Sequence, residues 1–167
     1  ALLKTGKPVV AVILAGRPMA IRWEAENLPT LVNVFFAGSE AGNAIADVLF
    51  GDVNPSGKLS ATFPQNVGQV PIYYNHKNTG RPLPEGKWFQ KFRSNYLDIP
   101  NAPVYPFGYG LSYSNFEYSE LKLSKKDLIG DEKLTASIQV SNTSDVDGKE
   151  VVQLYIRDLI GSVTRPV

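Results

Sequence analysis

The sequence predicts an α/β unit followed by an all-β unit, with a long aromatic segment between them. Three observations carry this expectation. Residues 7–63 alternate continuous apolar runs with short helical patterns, the arrangement of a parallel sheet with crossovers. Seven of the 12 prolines and 12 of the 18 aromatic residues crowd between Pro64 and Tyr118. Residues 116–157 then settle into two-residue alternation punctuated by turn signals. The divisions fall at 1–75, 76–115 and 116–167.

In chain order, Ala1-Leu2-Leu3-Lys4 is helix-forming and Gly6 is placed as its stop, with Pro8 two residues later. So short a helix does not nucleate alone in water, so it reads as the last turn of a longer one and the chain as part of something larger. Val9–Leu14 is a β-branched run of the kind buried on both faces of a parallel sheet. Ile21–Asn27 predicts one or two helical turns closed by Pro29, and Leu31–Phe36 a second strand. Ser39 suits an N-cap, Ala41, Ile45, Val48 and Leu49 share one helix face, and Gly51 ends that helix. After the turn Asn54-Pro55-Ser56-Gly57, Leu59, Ala61 and Phe63 alternate on a third strand.

Ile72-Tyr73-Tyr74 reads as a short strand, whereas residues 76–103 show no sustained period. Trp88, Phe89, Phe92 and Tyr96 are too apolar to leave in water, so this segment is expected to wrap over another surface. Downstream, Phe116, Tyr118, Leu121 and Leu123 suggest a strand whose alternation slips after Ser119. Leu134, Ala136, Ile138 and Val140 form a second, and Val151–Ile156 a third behind the Asp147-Gly148 turn signal. Three strands match the first part of a β-sandwich of about seven, so the sandwich is expected to be incomplete.

Composition excludes much. The 167 residues carry a net charge of +1, with 43% hydrophobic residues, 20% charged residues and no cysteine. No apolar run reaches the roughly 20 residues of a membrane span, and no global basic field offers itself to nucleic acid. Without cysteine and with His76 the one histidine, there is no disulfide framework, thiolate nucleophile or Cys/His zinc site. Neither a metal nor a cofactor is expected.

One series of motifs is specific. It runs Lys7-Pro8-Val9-Val10, Gly16-Arg17-Pro18, Trp23-Glu24-Ala25-Glu26-Asn27, and Gly42-Asn43-Ala44-Ile45-Ala46-Asp47-Val48-Leu49-Phe50-Gly51-Asp52. It continues with Asn54-Pro55-Ser56-Gly57-Lys58-Leu59, Tyr73-Tyr74-Asn75-His76-Lys77-Asn78-Thr79-Gly80-Arg81-Pro82 and Tyr105-Pro106-Phe107-Gly108-Tyr109-Gly110-Leu111-Ser112-Tyr113. The series, in this order, closely resembles glycoside hydrolase family 3, notably its bacterial periplasmic-type β-glucosidases. The resemblance implies that residues 1–75 are the C-terminal part of an α/β sandwich domain. It makes 76–115 a linker and 116–167 the first strands of a fibronectin type III-like domain. It also implies a retaining enzyme acting on terminal β-D-glucosyl residues, located in the periplasm or secreted. Its nucleophilic Asp, on a barrel domain, and its acid/base Glu both lie upstream of this chain. The chain alone is therefore expected to be inactive and to work with the rest of its parent, conceivably as a homodimer.

The carboxylates present give no competing pair. Glu24 and Glu26 sit two apart in a helical connector, where side chains do not face each other, and Asp47 and Asp52 lie on or just past a helix. Asp145-Val146-Asp147-Gly148 lacks the remaining ligand positions of a calcium loop and reads as a turn. Asn142-Thr143-Ser144 is a glycosylation sequon that matters only in a eukaryotic secretory pathway. Leu14-Ala15-Gly16-Arg17-Pro18 follows a strand as a phosphate loop would, but has one glycine and a proline that removes a donor.

The linker is the more informative candidate. Between His76 and Arg93, Lys77, Arg81, Lys87, Lys91 and Arg93 face only Glu85 in composition, interleaved with Trp88, Phe89 and Phe92. Aromatic faces stack on the C–H faces of sugars while arginine donates to hydroxyls, so Arg81, Phe92 and Trp88 are the candidate substrate-binding residues. The opposing reading is that these rings only glue two units together, and for Tyr105–Phe116 that is the favoured one. Two function classes follow: part of a β-glucosidase, or a non-catalytic carbohydrate-binding or interaction module.

Overall fold

The computed structural model describes residues 1–76, 80–160 and 162–163. A 3-10 turn at Leu2–Thr5 ends at Gly6 in the left-handed conformation (φ 70°), as the stop signal requires. Strand β1 (Val10–Ile13) leads through helix α1 (Arg22–Asn27) to strand β2 (Thr30–Asn33). The two strands pair in parallel, Val10 opposite Thr30 and Ile13 opposite Asn33. The expected crossover unit is therefore present, with strands shorter than the apolar runs. Strand β2 ends early because Phe35 turns to φ 50°, which sends its ring against Phe63, 6.2 Å between centroids. Phe36 swings onto the loop after β1, where a Cβ at Gly16 would lie 2.5 Å from its ring. That loop is packed, not cradled.

Helix α2 (Ala41–Phe50) closes on Gly51 at φ 88°. Its N-terminus differs from expectation: Glu40, not Ser39, is the N-cap, and no side chain caps the backbone there. Glu40 instead accepts from Asn43 across one turn at 2.7 Å.

The third expected strand does not form as a strand: the chain bends at Ser60 and Ala61, and it does not join β1 and β2. Residues 59–63 pair antiparallel with 105–109, Leu59 N to Tyr109 O at 2.8 Å and Phe63 N to Tyr105 O at 2.8 Å. The partner strand comes from beyond the aromatic segment, which nearest-neighbour pattern does not reveal. Tyr105 stacks on Tyr109 at 4.9 Å, and burial with the nearby Tyr109 raises the Tyr105 phenol above its ordinary value. No strand forms at Ile72-Tyr73-Tyr74; Tyr74 packs on Phe107 and Tyr155 instead.

In the all-β unit, β3 (Phe116–Tyr118) pairs antiparallel with β6 (Val140–Asn142), and β4 (Lys122–Leu123) with β5 (Ala136–Ser137). The slip in alternation after Ser119 is the break between β3 and β4. Residues 151–156 are extended without a ladder partner among the described residues. Side chains hold them instead: Gln153 donates to Gly108 O at 3.0 Å.

A polar clasp joins the two units. Asn54, in the turn after α2, uses every hydrogen-bonding position of its amide. Its Nδ2 donates to Ser114 Oγ (2.7 Å) and Asp147 O (2.9 Å), while Oδ1 accepts from Ser112 Oγ (2.9 Å) and Tyr113 N (2.9 Å). Alongside, Lys58 pairs with Glu150 at 3.3 Å and donates to Gly110 O at 2.7 Å, with both charged side chains largely buried. Tyr118 donates to Glu150 at 2.9 Å, and its phenol is raised, by desolvation first and this bond second. Tyr113 reaches back to Val48 O at 2.7 Å. The run from Tyr105 to Phe116 is therefore an internal fastening, as the favoured reading of it expected.

Candidate aromatic sugar-binding loop

Between Arg81 and Ser94 the chain leaves the body and returns. Pro82 and Pro84 remove donors and deny it a helix, and Gly86 at φ 74° lets it turn, with Lys87 N bonded to Pro84 O at 3.2 Å. The base is stapled: Pro82 bridges Ser94, and Ser94 N donates to Arg81 O at 2.9 Å. Asn101 clamps the returning arm by donating to Ser94 O (2.8 Å) and accepting from Tyr96 N (3.4 Å). Asn95 accepts from Gln90 N at 3.1 Å and so closes an inner turn, within which Arg93 N reaches Gln90 O at 3.2 Å.

That inner turn displays its rings outward. Phe92 sits at φ 64°, where a bulky residue is a strained outlier, and is 74% exposed. Lys91 Nζ lies 4.9 Å from the Phe92 centroid, a cation–π contact over one face. Trp88 packs on Phe89 at 5.7 Å and remains 57% exposed.

Arg81, Gln90, Lys91, Phe92 and Arg93 line one cavity of about 300 Å³. Two of the three residues singled out from sequence, Arg81 and Phe92, thus meet in one place. Trp88 does not line that cavity and flanks it on the same loop. Lys91 and Arg93 were visible in sequence only as members of a cationic run, and Gln90 was not visible at all. The turn closed by Asn95 is what gathers them, and no spacing rule announces it.

A second cavity of about 780 Å³ lies beneath, lined by Tyr73, Tyr74, His76 and Tyr96 among others. Its amides are already spent: Gln69 donates to Pro100 O and Ala102 O, and Asn95 and Asn101 hold the loop base. It is an open pocket at the loop base, with Tyr73 and Tyr74 exposed along it. Three carboxylates outside the loop are held in ion pairs, Glu26 by Arg22 at 2.7 Å in α1, Glu132 by Lys125 and Glu150 by Lys58. Among the described residues, no group of three or more His, Cys, Asp or Glu is placed to hold a metal, and no helix is long and apolar enough to cross a membrane.

Comparison with known proteins gives one consistent answer. The family model for the glycosyl hydrolase family 3 C-terminal domain matches residues 1–113. A periplasmic β-glucosidase of Salmonella typhimurium is 51% identical across 100% of the chain, and a β-xylosidase of Formosa agariphila 42% identical across 99%. The chain spans 22% of the length of each of these curated relatives. A crystal structure of a β-glucosidase from Listeria innocua with isofagomine superposes with a TM-score of 0.90 at 48% identity, over 99% of this chain and 23% of that one. A mutant of the same enzyme was solved with laminaribiose, again with a TM-score of 0.90, at 47% identity over 99% of this chain and 23% of that one.

Proposed function

This chain belongs to glycosyl hydrolase family 3, and from that premise we propose that it is the C-terminal part of a retaining β-glucosidase. The observation that carries this reading is the likeness to the Listeria innocua β-glucosidase over 99% of the chain. The catalytic carboxylates belong to the remainder of the parent chain, a nucleophile and an acid/base held about 5–5.5 Å apart in a retaining enzyme. Residues 116–167 contribute the opening of a fibronectin type III-like domain, with 161 and 164–167 outside the described residues. The name of the Salmonella relative supports a periplasmic or secreted location.

In this reading the chain supplies substrate binding. Arg81 and Phe92, flanked by Trp88, form the aglycone side of the sugar site. Phe92 offers an apolar face to the C–H face of a sugar or phenyl ring, and Arg81 donates to its oxygens. The stapled base holds both while the loop projects far enough to serve a neighbouring subunit of a homodimer, the commonest oligomer type.

The test is a paired assay on a nitrophenyl β-glucoside. The full-length parent turns it over, and the isolated chain, lacking both carboxylates, leaves it at background. Turnover by the isolated chain that disappears when one of its own carboxylates is mutated would refute the assignment.

A further inference from the structure

The cavity that holds Arg81 and Phe92 is more positive than recognition of a neutral sugar requires. Sugar hydroxyls both donate and accept, so a lining for them mixes donors with acceptors. Here Arg81, Lys91 and Arg93 only donate, and the Gln90 amide is the one side-chain acceptor among the lining residues. Among the described residues no carboxylate lines the cavity. The ion pairs among the described residues are Arg22–Glu26, Lys58–Glu150 and Lys125–Glu132, so none of the three cavity cations is neutralised by one. The three cations share one lining, and no ion pair among the described residues offsets them.

The ring completes the chemistry. Lys91 covers one face of Phe92, and the exposure of the ring leaves the other face open. An occupant that satisfies this lining is a flat ring for Phe92 with an anionic group for the guanidinium forks. Arginine binds carboxylate through two parallel N–H···O bonds, a match that neutral hydroxyls do not offer.

We infer that this loop selects glycosides whose aglycone is an aromatic ring bearing a carboxylate. The inference rests on the aglycone-site reading above and narrows it to a substrate class.

The test compares 4-carboxyphenyl β-D-glucoside with its uncharged twin, 4-carbamoylphenyl β-D-glucoside, on the full-length enzyme. The measured quantity is the ratio of their kcat/KM values in wild type relative to variant, which cancels the different leaving groups. In Lys91→Glu the preference for the carboxylate is expected to fall roughly fivefold or more, and added salt lowers it in the unmodified enzyme, which needs no variant to fold. A ratio indifferent to both salt and charge reversal overturns the inference. If Phe92→Ala still raises KM for both substrates in that case, the aglycone site survives without charge selection. If Phe92→Ala changes neither, the aglycone reading falls with it.

Discussion

Arg81 and Phe92 depend on residues outside the cavity that they line. Asn95 and Asn101 hold the loop by four hydrogen bonds between 2.8 and 3.4 Å, and the strained backbone of Phe92 persists because the turn around it is tied at both ends. The consequence for kinetics is a split. Arg81→Ala in the full-length enzyme should raise KM for a β-linked disaccharide while leaving a simple aryl glucoside nearly untouched. The expected loss is about 1–3 kcal/mol in kcat/KM, the scale of a charge-assisted hydrogen bond left unmade. Equal effects on the two substrates, or none, would mean that the loop is only structural.

At the scale of elements, the clasp around Asn54 carries the largest expected effect on stability. Removing its amide in Asn54→Ala strands Tyr113 N–H, Ser112, Ser114 and Asp147 O at once, at a cost of about 2–3 kcal/mol. Gly148→Ala attacks the same joint sterically, since a Cβ there would lie 2.6 Å from Ser114 Oγ and 2.9 Å from Asn54 Nδ2. Both variants should raise amide exchange across 105–114 and 142–150 of the full-length protein while leaving β1 and β2 protected. Unchanged protection at the joint would contradict this. The sequence announced Asn54-Pro55-Ser56-Gly57 only as a turn, because the side-chain and backbone groups that complete the clasp lie 58 to 93 residues away. The same distance hid the partner of residues 59–63, whose alternation was legible while its pairing with 105–109 was not. Local signals fared better: Gly6 and Gly51 stop their helices, and the slip after Ser119 marks a real break. The Arg81–Phe92 pairing was legible as chemistry, a cation and a ring on one aperiodic loop. The cavity itself depends on Asn95, which no composition points to.

For the whole molecule, the accessible surface is 13100 Å², whereas a compact monomer of 18.3 kDa exposes about 8,100 Å². Among the described residues the buried apolar ones are few, Ile21, Phe63, Pro64 and Ile99, while Leu14, Phe36 and Phe50 stand open at 60%, 83% and 84%. Asn33, at the end of β2, has a side-chain amide shut off from solvent without a hydrogen-bond partner. Such a surface calls for a cover, which the rest of the parent chain would supply. The isolated chain is therefore expected to associate or to melt without a sharp transition by calorimetry and sedimentation. A monodisperse monomer with a cooperative melt would show that these faces are stable uncovered.

The clasp also sets a rule for recombining this protein with its relatives. Asn54 and Lys58 on one side, and Ser112 to Ser114, Asp147 and Glu150 on the other, read one another atom by atom. A chimaera that exchanges the all-β unit at a junction in the aromatic segment carries half of that code into a foreign partner. Moving residues 54–58, 105–114 and 142–150 as one cassette keeps donor facing acceptor and lysine facing glutamate. The loop from Arg81 to Ser94, closed at its base by Ser94 N on Arg81 O, is then the piece expected to exchange as a unit on a fixed socket.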